Sequence, residues 1–187
     1  MDKRKFHSMV GAAFMAAVMA VLSQFTIPVG AVSMTLQTFV CALAGGLLGS
    51  RWGAVSILVW LLLGILGVPV LTMGKAGPGI FMSPVGAYYI GFIIMAWLSG
   101  VRPAVNDRFI RQFLLALAGL LVCYTLGTIW FIGYFSFGLG KEMPLWMALT
   151  MTVFPFVVFD LIKVSAGVFC GARIRNALVQ AGLLSIK

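Results

Sequence analysis

Phe154-Pro155-Phe156-Val157-Val158-Phe159-Asp160-Leu161-Ile162-Lys163, continued through Val164 to Cys170, is an apolar run interrupted by one acid and one base three residues apart. Charge inside lipid is costly, so each of these two groups needs a partner. Three residues of helix advance the azimuth by about 300°, which puts both side chains on one face, roughly one turn apart. An acceptor and a donor therefore look into the same space. Two uses fit: the pair neutralises itself while bridging helices, or it holds a polar ligand where water is scarce.

The rest of the chain settles the medium. With 187 residues, 62% hydrophobic and 9% charged, and a mean hydropathy of +1.11, there are too few charges to cover a water-facing surface. The expected fold class is all-α, a polytopic membrane protein with six transmembrane helices in one bundle and a single domain over residues 1–187. The apolar runs predict helix one over residues 6–25, helix two over 36–48, helix three over 52–66, helix four over 84–98, helix five over 111–135 and helix six over 145–170, the last kinked at Pro155. The segment with Gly67, Pro69, Gly74, Lys75, Gly77, Pro78 and Gly79 is too rich in glycine and proline to meet lipid as helix, so it must rest on protein or face water. The basic Lys3-Arg4-Lys5 precedes an apolar run too long for a signal-peptide core, which is read as the first span.

Basic residues in short loops stay on the cytoplasmic side. Six spans with both termini on one side place Lys3, Arg4, Lys5, Arg51, Arg102, Arg108, Arg111, Arg173, Arg175 and Lys187 on one face, against Lys75 and Lys141 on the other. The expected location is the plasma (inner) membrane, multi-pass, with both termini cytoplasmic. The net charge of +9 then reflects topology and affinity for anionic lipid heads, with no need of nucleic acid. Asp160 and Lys163 fall roughly 15 to 20 Å above the basic inner end of helix six, counted from Arg173 at the helical rise, in the middle to outer half of the bilayer.

On helix one, Ala12, Ala16 and Ala20 recur every four residues with Ala13 and Ala17 beside them. Such stripes let helices approach closely in lipid. The approaching helix belongs either to a partner protein or to the same chain. Cys41, Cys123 and Cys170 are widely spaced within apolar spans and read as core. The lone His7 has no ligand cluster beside it, so no metal or other cofactor is implied. Neither Gly74-Lys75 nor Gly140-Lys141 has the glycine and hydroxyl of a phosphate-cradling loop, so the chain is not expected to hydrolyse ATP. Asp2, Asp107 and Glu142 all fall at surfaces, leaving Asp160 without a second carboxylate for acid-base work. An enzyme is not expected.

Four ordered motifs resemble the BioY family of biotin-transport proteins: Thr35-Leu36-Gln37-Thr38, Gly64-Ile65-Leu66-Gly67-Val68-Pro69-Val70, Pro84-Val85-Gly86-Ala87-Tyr88, and the proline, aspartate and lysine of Phe154–Lys163. The resemblance implies a six-helix S component of an energy-coupling factor (ECF) transporter, which captures biotin outside. A transmembrane coupling subunit and paired ATPase subunits are its implied partners. This chain departs from the family's pattern at Ser83, Val85 and Ala87, which replace a glycine, a threonine and a glycine, and at Lys75, where a glycine or small polar residue is usual. Lys75 either attracts a ligand carboxylate or points to solvent. A related S component for another vitamin, such as riboflavin or thiamine, would share the small residues of helix one but not the Asp160–Lys163 pair. A non-transport scaffold would bind no ligand.

Biotin presents a ureido group, an apolar bicycle and a carboxylate tail, so its pocket needs an acceptor, a donor and apolar walls. Under the resemblance, Asp160 accepts ureido N–H bonds, Lys163 donates to a ligand oxygen while neutralising Asp160, and Gln37 adds an amide. Tyr88 lays its ring on the ligand, or else belongs to the aromatic belt at the membrane interface.

Overall fold

The computed structural model describes residues 3–29, 32–101 and 109–182. Over these residues it contains α1 (Lys3–Leu22), β1 (Thr26–Val29), β2 (Val32–Thr35), α2 (Gln37–Ile65), α3 (Gly86–Ser99), α4 (Phe109–Gly133), α5 (Leu145–Thr152) and α6 (Phe154–Gln180). Arg102, Arg108 and Lys187, used above for charge placement, and Asp2 and Asp107, read above as surface carboxylates, lie outside the described residues.

The chain is mostly helical rather than all-α. β1 and β2 pair antiparallel with Thr26 opposite Thr35 and Val29 opposite Val32, an arrangement in which each strand satisfies the other's backbone between two helices. Helices two and three are one element, α2, interrupted at Gly49 (φ 83, ψ 174). That backbone region is open essentially to glycine alone. The two halves turn back on each other: a Cβ on Gly53 would lie 2.8 Å from the Cα of Gly45, whereas residues eight apart in a continuous helix are separated by about 12 Å. The boundary expected from sequence is thus a hairpin closed on glycines.

The expected helix six is corrected more substantially. It is divided at Val153 (φ −123, ψ −60) into α5 and α6, and α6 runs on to Gln180. Pro155 stands in the first turn of α6, where its missing N–H costs no helical bond. It starts a helix rather than kinking one.

Lys5–Leu22, Phe109–Gly138 and Phe154–Gln180 are long and apolar enough to cross a membrane, Gln37–Ile65 is so by its summed length although it folds back at Gly49, and α3 is a shorter apolar helix. Phe109–Gly138 includes a π-helical turn at Tyr134–Gly138. α2 packs against α1, α3 and α6, and α3 against α4. Met15, Met19, Val40, Ile57, Trp60, Met95, Val164 and Val168 fill the space between them. Phe14, Leu121, Ile129, Val158 and Ile162 point outward, a broadly apolar exterior suited to lipid.

Candidate functional site

The inward face of α6 carries Phe156, Asp160, Val164, Gly167, Val168 and Gly171, spaced so that the acid falls on the helix's buried stripe. Its carboxylate is bonded from three directions. Thr38, in the first turn of α2, donates to Oδ1 at 2.9 Å, and Tyr124 of α4 donates its hydroxyl to Oδ2 at 2.5 Å. Lys163 reaches back one turn to make an ion pair with Oδ1 at 2.5 Å. The same ammonium donates to the backbone carbonyl of Thr35 at 2.8 Å. Three helices and the end of β2 therefore converge on one buried charge pair.

Thr35 links this pair to the roof. Its hydroxyl accepts the backbone N–H of Gln37 and donates to the side-chain Oε1 of Gln37, whose Nε2 donates to the Thr72 hydroxyl at 3.0 Å. Thr72 belongs to the glycine-rich segment after α2, which is anchored just before it. The Val70 carbonyl accepts bonds from Trp60 Nε1 and Ser23 Oγ, and the Leu71 carbonyl one from Gln24. Leu71 is fully buried against Gly64, where a Cβ would collide with its side chain. From this fixed point the backbone passes through Met73 (φ 61) and Gly74 (φ 69), and Ser33 of β2 lies 3.9 Å from the Met73 sulfur.

Between roof and floor is a cavity of about 110 Å³. Asp160, Lys163, Thr38 and Tyr124 form its polar end, while Val85, Tyr88, Tyr89, Phe92, Leu120 and Phe156 supply apolar and aromatic wall. Tyr88 is buried, its hydroxyl 3.4 Å from the Thr152 carbonyl, and its ring lies where a Cβ on Gly127 would be. The interfacial-belt alternative does not describe this tyrosine. Gln37 also lines the cavity and is buried, and Lys75 lines it from an exposed position on the rim. Asp160, Lys163, Gln37, Tyr88 and Lys75 thus share one space.

The alanine stripe of α1 splits. Ala12 and Ala16 are buried within the chain, on a helix that packs against α2, and Ala20 is half-buried; Ala13 and Ala17 are exposed. Contact within the chain accounts for the first two.

Two partners of Asp160 carried no sequence expectation of a role. Tyr124 is a lone tyrosine in the middle of an apolar span, and a buried phenol needs a bonding partner. Thr38 lies one residue after Gln37 in a quoted motif. Cys123, read as core, also lines the cavity.

A helical protein with a lipid-suited exterior and a buried, acid-and-base-ended cavity belongs to the class of membrane-embedded small-ligand binders. The match to known proteins is specific. Residues 1–180 match the model of the BioY family, and the chain belongs to that family. It is 32% identical over 179 residues to the biotin transporter BioY2 of Lactococcus lactis subsp. cremoris, covering 95% of each chain. It is 29% identical to the biotin transporter BioY of Thermotoga maritima, over 92% of this chain and 98% of the relative. The crystal structure of the S-component for biotin from an ECF-type ABC transporter is similar throughout, with a TM-score of 0.80 at 28% identity over 94% of both chains. The relatives are transporters, in keeping with the expectation that this chain is no enzyme.

Proposed function

We propose that the chain is the biotin-capturing S component of an ECF importer, a single domain over residues 1–187 that crosses the plasma membrane six times with both termini in the cytoplasm. The hairpin halves of α2 then provide two crossings, and α1, α3, α4 and α6 the other four. The observation that carries this reading is the Asp160–Lys163 pair at one end of a cavity whose walls carry Tyr88, Tyr89, Phe92, Leu120 and Phe156.

Asp160 accepts from the ureido group, Lys163 donates to its oxygen, Tyr88 covers the bicycle, and Gln37 ties the site to the roof. Lys75 on the rim draws the ligand's carboxylate by charge. The segment carrying Thr72 and Lys75 moves to admit and enclose the ligand, its glycines allowing the change. The exposed Ala13 and Ala17 of α1 offer a close-approach face to the transmembrane coupling subunit, and paired ATPase subunits supply the work that this chain lacks.

Uptake of labelled biotin in cells without their own importer tests the division of labour. Accumulation is expected when the chain is expressed with the coupling and ATPase subunits. Concentrative uptake by the purified chain alone in vesicles would contradict it.

A further inference from the structure

A carboxylate has about four lone-pair positions, two on each oxygen, and an ammonium has three protons. Among the described residues, Oδ1 of Asp160 already accepts from Thr38 and from Lys163, and Oδ2 from Tyr124. One acceptor position remains, on Oδ2. Lys163 spends one proton on Asp160 and another on the Thr35 carbonyl. One donor remains.

Building on the biotin-binding function proposed above, we infer that the acid reads a single N–H of its ligand and the lysine reads the adjoining carbonyl, so that the recognised element is one cis –NH–C(=O)– edge rather than a whole urea. Tyr124 is the positioning residue that enforces this. Its hydroxyl fills the second position on Oδ2 and, with Thr38 on the other oxygen, fixes the rotation of the carboxylate. Any cyclic urea or lactam of the right body shape satisfies such an edge, and the urea's second N–H is not held by the acid.

Two lactam analogues of biotin separate the ureido nitrogens, each replacing a different N–H by CH2 at nearly constant shape. Competition against labelled biotin on the purified full-length chain is expected to show one lactam binding within about threefold of biotin. The other, which sets a CH2 against the charged acceptor, is expected to bind at least about tenfold more weakly. Equal losses of tenfold or more with both lactams would show that the acid reads both N–H groups and would overturn the inference. So would two lactams that both bind like biotin. A chain that ignores biotin itself refutes the proposed function instead, before either lactam is compared.

Tyr124→Phe supplies the second readout. It opens another position on Oδ2 and frees the carboxylate to turn, so the gap between the lactams is expected to narrow to about threefold or less. A purely structural role for Tyr124 would weaken biotin and both lactams alike and leave their ratio unchanged, which counts against the positioning role. Thr38→Val, which frees a position on Oδ1 instead, is expected to narrow the gap in the same direction.

Discussion

Asp160 and Lys163 join two roles in one residue pair, a structural tie between elements and the proposed grip on ligand. The pair is bonded to α2, α4 and the end of β2, so removing either member leaves the other without its counter-ion, held by neutral hydrogen bonds alone. Asp160→Ala or Lys163→Ala is expected to cost about 3 to 5 kcal/mol of stability. Replacing both by apolar residues of similar volume, Asp160→Leu with Lys163→Met, is expected to recover most of that loss and to abolish biotin binding. Thermal unfolding in detergent and a binding assay on the same samples check this. A double variant that still binds biotin would reduce the pair to a helix clamp. The pair was legible in the sequence because charge in an apolar run is conspicuous. Its helpers were not: a threonine and a tyrosine in membrane helices are common enough that nothing local marks Thr38 and Tyr124 as facing an acid on a third helix.

At the level of elements, glycine sets the route of the chain. Gly49 at φ 83, ψ 174 closes the α2 hairpin, and a side chain there is expected to cost about 1 to 3 kcal/mol. Gly49→Ala therefore lowers the unfolding temperature while leaving the distant cavity residues in place, so that biotin affinity in the folded fraction is unchanged. Loss of affinity without loss of stability would contradict that separation. The hairpin was anticipated because Gly49, Ser50 and Arg51 break an apolar run. The division at Val153 was not, since Pro155 signals a kink and a helix start equally well. The strand pair escaped notice for a different reason: four-residue strands carry little periodic signal, and Thr26–Val29 follows directly on a span. The extension of α6 to Gln180 was missed because Arg173 and Arg175 mark the lipid boundary, which is not the end of the helix. Arg175 instead folds inward to donate to the Leu47 carbonyl at 2.8 Å, a favourable place for a cation at the end of the first half of α2.

Taken whole, the molecule keeps the cavity proposed to bind ligand apart from the alanine face proposed to meet a partner. The cavity lies among α2, α3, α4 and α6 beneath two connecting segments, while α1 contributes its buried alanines to the fold and leaves Ala13 and Ala17 outside. Ala13→Trp with Ala17→Trp is expected to reduce biotin uptake by the assembled importer at least about tenfold, because bulk prevents close helix approach, with binding by the isolated chain unaffected. Ala12→Trp or Ala16→Trp, by contrast, overpacks the interior and is expected to destabilise the chain by about 1 to 3 kcal/mol or more. Uptake assays beside unfolding curves distinguish the two faces. Composition alone placed the molecule in lipid, and four short motifs gave its kind; which alanines face inward depends on how α1 is rotated against α2, which a repeat of small residues leaves undetermined.

Isothermal titration of the detergent-solubilised chain with biotin, repeated with Asp160→Asn, tests the central claim most directly. Saturable binding at one site is predicted for the native chain, weakened at least about tenfold in the variant as a charge-assisted bond is lost. No binding by the native chain, or equal affinity once the acid has become an amide, would contradict it.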